Sequence, residues 1–337
     1  MKQRPWNLLM TLLQAGLWER DTTLASVPDA AQWGAVLAAA HAQAVTGLLI
    51  RGLEHLPQEQ RPPHSMRLHL MAEVLTLERT SAARARTEAA LLAFWTDKGL
   101  HPLVMKGSRA ARYYCHPELR CCGDIDLFFP GDEFARAKAL IPEAVTEPDG
   151  SAVFVRDGVP VELHPRYYDL PLPPEQLPAP GSVCGELLLL SAHICKHAIG
   201  TGVGLKQLCD LARALHATEG RYDKEELREA LRRSGLLRWH RMLCSLLVKN
   251  LGLNPACCLP DFRPVPAGWL RGIVRRGGNF GQATPRRQAV LHKSAAVRKA
   301  DTAAAFLRRL PFSLHYAPRE TCATIRELTR GNLHHKE

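Results

Sequence analysis

The chain has 337 residues, 46% of them hydrophobic and 23% charged, which supports a sizeable core and excludes a disordered polymer. No apolar run reaches the roughly 18 residues that a membrane-spanning helix needs. The net charge of +11 is uneven: from Leu236 to Glu337 there are 18 Lys and Arg against 5 Asp and Glu, a balance of +13, which leaves −2 for the rest.

The apolar run in "MKQRPWNLLMTLLQAGLWERD" is broken by Thr11, Gln14 and Gly16, and no small-x-small cleavage site precedes Glu19. It therefore reads as a first amphipathic helix and not as a secretion signal. Three- and four-residue apolar spacing predicts further helices in "AAQWGAVLAAAHAQAVTGLLIRGLEHL", closed by Pro57, Pro62 and Pro63. A long helix is predicted from about Ser65 to Lys98, with Gly99 as its cap. Residues 1–98 are thus expected to form an N-terminal helical region.

The pattern then changes. "HPLVMKGS" predicts a short buried strand ending in a lysine-glycine turn, and "SRAARYY" a short helical turn. "DIDLFF" predicts a strand bounded by Pro130-Gly131, and "DEFARAKALI" a helix. "SAVFVRDGVPVELH" predicts two strands around an Asp157-Gly158 turn. Residues 99–170 are expected to be a small α/β core, ending in the proline-rich arm "PRYYDLPLPPEQLPAPG". Helices return in residues 171–337, which carry the basic charge. The fold class expected is α+β: a small mixed β-sheet flanked by N- and C-terminal helical regions.

Ten cysteines are scattered, and the adjacent pairs Cys121-Cys122 and Cys257-Cys258 are not C-x-x-C motifs. Reduced thiols in a cytoplasmic protein are expected, with no structural zinc and no membrane partner. The basic C-terminal third points to a polyanionic partner such as nucleic acid, a nucleotide or an acidic membrane surface, or to a solvated helical surface.

Asp124 and Asp126 stand two apart in the strand "DIDLFF", so alternation predicts both on one face and Ile125 and Leu127 on the other. Two close carboxylates repel, and a bound divalent cation removes that cost; hard oxygen ligands suit Mg²⁺ or Mn²⁺. Glu162 in "VPVELH" joins the same face if its strand pairs beside the first. Three such carboxylates are able to hold two metals about 3.5–4 Å apart for in-line phosphoryl displacement. Gly107 allows close backbone approach to a ligand, Ser108 offers a hydroxyl at the start of a helical turn, and Lys106 adds positive charge.

"VMKGS", "ELRCCGDIDLFF", "VELH" and the histidine-bearing "SAHICKHAIGTGVGLKQLCDLA" together resemble the bacterial "uncharacterised nucleotidyltransferase" family of the DNA polymerase beta-like superfamily, over roughly residues 99 to 216. The resemblance implies Asp124, Asp126 and Glu162 as metal-binding and catalytic acids. It implies Gly107 and Ser108 as the triphosphate-binding turn, with Lys106 and Arg120 as nucleotide contacts. It implies a nucleoside triphosphate as substrate and Mg²⁺ or Mn²⁺ as cofactor. Arg120 has the alternative of pairing with Glu118 or an aspartate. His164 is read as touching substrate or capping its strand. His193 and His197, four apart on one helix, line the cleft or pack the helix; no H-E-x-x-H glutamate supports zinc there. Lys196 on that helix is a further cleft candidate, with a solvated face as its alternative.

The function expected is metal-dependent transfer of a nucleoside monophosphate to a hydroxyl or phosphate acceptor, with release of pyrophosphate. The alternative is an inactive nucleotidyltransferase-fold module that binds nucleic acid or a protein partner through its basic C-terminal helices.

Overall fold

The computed structural model describes residues 4–329, except 148, 285–287, 290 and 291. Helices α1 (Pro5–Trp18), α2 (Ala30–Ala42) and α3 (Thr46–Glu54) open the chain. Pro5 suits the first turn of α1, where an N–H has no helical partner. Asp29 and Gln32 form a capping box at the start of α2. Helix α4 (His64–Asp97) follows, and Gly99, at φ 67°, ends it in the left-handed region.

Five strands make one mixed sheet: β1 (Leu103–Met105), β2 (Ile125–Phe128), β3 (Val145–Thr146), β4 (Ala152–Arg156) and β5 (Val159–His164). Their order is β1-β2-β5-β4-β3, with β2 parallel to β5 and the other neighbours antiparallel. The turn joining β4 to β5 has Asp157 at φ 52° and Gly158 at φ 75°, two positive values that match the right-handed twist of a hairpin. Short helices α5 (Lys106–Ala111) and α6 (Glu133–Ala139) sit between strands. β3, only two residues long, carries no periodic signal and was not among the expected elements.

One sheet face is dry. Ile125, Leu127 and Phe129 are buried with Val161, Leu163 and Phe154 against Leu91, Trp95 and Leu100. The Trp95 and Phe129 rings meet edge to face at 5.1 Å. The period of two that buries these side chains turns Asp126, Glu162 and His164 to the opposite face.

That face looks toward α7 (Val183–Ile199) and α8 (Leu205–Ala217), followed by α9 (Lys224–Ser234), α10 (Leu237–Leu246) and α11 (Gly268–Gly277). Ser182 and Asp223 cap α7 and α9 through their side-chain oxygens. Helices Ala295–Tyr316 and Pro318–Thr329 are the last among the described residues. Of the basic segment expected to be helical from position 285, residues 285–287, 290 and 291 lie outside the described ones.

The N- and C-terminal helical regions share a core: Leu9, Leu13 and Trp33 belong to the same buried cluster as Leu188, Leu211 and Leu243. Gln14 Nε2 donates to the Asn250 carbonyl at 2.8 Å, and Arg213 Nη1 to the Leu17 carbonyl at 3.0 Å. The sheet is therefore seated on a single helical body formed from both ends of the chain. Among the described residues, no helix is long and apolar enough to cross a membrane.

Candidate active site

The parallel register of β2 and β5 sets Asp126 beside Glu162 and Phe128 beside His164. Asp126 is 3% exposed and Glu162 8%. His164 Nε2 lies 2.8 Å from Asp126 Oδ1 and 3.6 Å from Glu162 Oε1. One ligand atom from each of the three falls within 4.8 Å of the others.

β1 delivers a cation to the same point. Met105 pairs with Asp126 across the antiparallel ladder, and the next residue, Lys106, turns its ammonium onto Asp126 Oδ1 at 2.8 Å. Lys106 does so from φ 46°, in the left-handed region that disfavours a side chain. Burial alone would raise the Asp126 carboxyl; the Lys106 charge and the His164 hydrogen bond outweigh it and hold the group well below the usual carboxylate range. Burial and the Lys106 ammonium push the His164 imidazole down, against the pull of Asp126, so its neutral, ligating form is favoured.

Asp124 sits differently from its partner in the motif. β2 begins at Ile125, so Asp124 has no neighbour in the β5 register; it is exposed at the open end of the strand. Among the described residues, the close cluster of ligand atoms consists of Asp126, Glu162 and His164; its third member is a histidine at the end of β5 and not Asp124.

The glycine turn lies over a buried clamp. Arg120 donates from Nε and Nη2 to the two Asp210 oxygens at 2.7 and 2.6 Å, and from Nη1 to Cys122 Sγ at 2.7 Å. Tyr114 Oη also donates to Asp210, at 2.7 Å. The guanidinium expected to meet a nucleotide phosphate is thus committed to α8, because a buried arginine needs a carboxylate more than a surface one does. Burial would raise the Asp210 carboxyl, and Arg120 lowers it below its ordinary value. A Cβ on Gly107 would meet Arg120 Nη1 at 3.5 Å, an ordinary contact, so the packing itself does not require glycine. Ser108 Oγ accepts from Arg84 of α4, which leaves its own proton to donate.

On α7, the His193 and His197 rings meet edge to face at 4.4 Å. Burial, then the Lys106 ammonium, lowers His193 to about 3, which places this ring within the field of the carboxylate site. Lys196 instead forms an ion pair with Asp169, in the arm after β5. Phe280 stands in no motif that singles it out. Its ring centroid lies 4.5 Å from that of His197, and the Lys206 ammonium lies 5.7 Å above it. Two glycines allow this approach: a Cβ on Gly202 would fall 2.8 Å from Gly281 Cα, and one on Gly204 2.9 Å from Asn279 Cα. These contacts explain two of the three glycines in the run "GTGVG".

A buried carboxylate pair with an imidazole, a lysine and a glycine turn at a strand end is able to bind a divalent cation and a polyphosphate together. A family model described as "Uncharacterised nucleotidyltransferase" matches residues 29–252. The chain belongs to this family. Neither a comparison with curated proteins nor one with solved structures gives a match. In this family member the matched span runs from the cap of α2 to the glycine after α10 and contains the whole sheet, α7 and α8; Phe280 and the last two helices lie beyond it.

Proposed function

We propose that the chain transfers a nucleoside monophosphate from an NTP to a hydroxyl or phosphate acceptor, and that Asp126, Glu162 and His164 hold the divalent cation this requires. The observation that carries the reading is the pairing of Asp126 with Glu162 on neighbouring parallel strands, buried, with His164 across from them. The residues fit a cation: two carboxylates and a neutral imidazole converge, and a bound divalent ion would take the place of the Lys106 ammonium at Asp126. Exposed at the strand end, Asp124 is the fourth candidate ligand. Mg²⁺ or Mn²⁺ bound there would neutralise charge on the triphosphate and on the leaving pyrophosphate.

The protein groups divide the remaining work. Lys106, the Gly107 backbone and the Ser108 hydroxyl receive the phosphates at the end of β1. Glu162 takes the proton of the acceptor hydroxyl as its oxygen attacks the α-phosphorus. The bond from that phosphorus to the bridging oxygen breaks, and pyrophosphate carries away the electron pair. His193, His197 and Phe280 wall the site on the side of α7. Arg120 and Asp210 fix the turn from beneath and touch no substrate.

The test is incubation of the purified chain with labelled ATP, CTP, GTP and UTP in Mg²⁺ or Mn²⁺, with intact-mass analysis of candidate acceptors. The added mass names both the nucleotide and the target. Asp126→Asn and Glu162→Gln are expected to lower transfer by about 10²–10³-fold or more. Unchanged transfer in both variants overturns the reading.

A further inference from the structure

Helix α4 is apolar on two sides. One side is buried: Leu70, Leu91 and Trp95 lie in the core, Arg84 reaches Ser108, and Thr87 donates to Asp157 at 3.3 Å. The other side is open. Leu68, Met71 and Leu75 are 53%, 62% and 50% exposed, and spacings of three and four residues put them in one row. At 3.6 residues per turn that row faces away from Leu70, Arg84 and Trp95. Single exposed apolar residues need no explanation, but three in a row on one helix are the pattern of a helix that packs against a partner.

The row continues toward the sheet as small residues. Ala82, Ala85 and Ala89 are exposed on the same side, at heptad spacing from Leu75. The bulky half and the small half meet at Glu78 and Arg79, both exposed. Among the described residues neither of these two charges has an ion-pair partner.

This row is complementary to itself when one copy is reversed. About a two-fold axis between Glu78 and Arg79, Leu68, Met71 and Leu75 of one copy lie over Ala89, Ala85 and Ala82 of the other. Large side chains then face small ones, the arrangement that lets two surfaces interdigitate. Each Glu78 meets the Arg79 of the other copy, twice by symmetry. A parallel pair would instead set leucine on leucine, alanine on alanine, and each charge against its own kind, which is destabilising.

We propose that α4 is a self-association surface, which pairs antiparallel with α4 of a second copy of this chain. The surface stands whether or not the carboxylate site transfers a nucleotide. One helix pair covers less than the roughly 1,200–2,000 Å² of a standard stable interface, so dissociation in the micromolar range is expected.

The test is sedimentation velocity of the full chain from low to several hundred micromolar. It is repeated with Leu75→Glu, with Glu78→Arg, and with the double change Glu78→Arg and Arg79→Glu. All three changes are at exposed positions, and circular dichroism with the unfolding midpoint establishes that each variant is folded. The wild type is expected to pass from monomer to dimer, and Leu75→Glu to stay monomeric throughout. Glu78→Arg is expected to weaken the dimer about tenfold, and the double change to restore it. A wild type that is monomeric at every concentration overturns the proposal, as does a dimer that Leu75→Glu leaves intact. Failure of the double change to recover what Glu78→Arg loses overturns the antiparallel pairing. A monomeric wild type that sediments with phosphatidylserine vesicles, and loses this in Leu75→Glu, overturns it in favour of a membrane surface.

Discussion

Lys106 carries backbone strain and charge at the same position. Its left-handed φ costs on the order of 1 kcal/mol, and its ammonium compensates a buried carboxylate. Lys106→Gly and Lys106→Met both remove the charge, but only glycine relieves the backbone. The glycine variant is expected to unfold at higher urea concentration than the methionine variant, by about 1 kcal/mol, while both lose nucleotide transfer; equal stability contradicts the strain. The Arg120–Asp210 clamp gives a second residue-scale test. Asp210→Ala leaves a buried guanidinium unpaired and is expected to cost about 3–5 kcal/mol in denaturant unfolding. Adding Arg120→Ala is expected to cost much less than the sum of the single changes, and additive effects contradict the coupling. The acids Asp126 and Glu162 were legible because strand alternation and the Asp157-Gly158 turn fix which side chains share a face. Arg120's partner was not, because Asp210 stands on a helix whose own sequence says nothing of which loop it packs against. The same holds for Phe280, a single aromatic between glycines, whose role exists only through contact with α7.

At the scale of elements, the apolar periodicities accounted for most of the helices and for four of the five strands, but not for Gly268–Gly277 or Pro318–Thr329. They failed where an element is too short to have a period, as in β3. They also overextended β2, since pairing with β5 starts only at Ile125. This single residue separates the buried Asp126 from the exposed Asp124. Leu127 anchors the dry face at 0% exposure, and Leu127→Ala is expected to cost about 2–5 kcal/mol in urea unfolding, with the spread set by how far the cavity collapses. A cost below 1 kcal/mol contradicts the close packing of that layer. The loop "GTGVG" shows the opposite relation of sequence to structure. Gly202 and Gly204 in it each make room for a backbone atom of the segment around Asn279, a contact that periodicity does not register.

The molecule as a whole is expected to lose stability on mild acidification through one buried histidine. His240 is buried, with Ser191 Oγ 2.8 Å from its Nδ1, and burial lowers its pKa to about 4 from an ordinary 6.5. Below pH 6.5 the unfolded chain takes up a proton that the folded chain refuses. The contribution is therefore complete above pH 6.5 and is lost as pH falls toward 4, by about 3 kcal/mol. Urea midpoints measured across that window are expected to drop in the wild type and to drop less in His240→Gln; parallel curves contradict the account. Composition indicated a globular chain with a basic C-terminal third, and no span-length apolar run. It did not reveal that helices from both ends form one core beneath the sheet, because periodicity marks an apolar face without naming what covers it.

The transferase reading requires Asp126, Glu162 and His164 together to hold the cation that brings the nucleotide. Titration of Mn²⁺ followed by its paramagnetic resonance, with and without ATP, tests this most directly. The wild type is expected to bind Mn²⁺ more tightly with ATP present, with Asp126→Asn and Glu162→Gln each abolishing that binding. A manganese signal that titrates identically in all three proteins contradicts it.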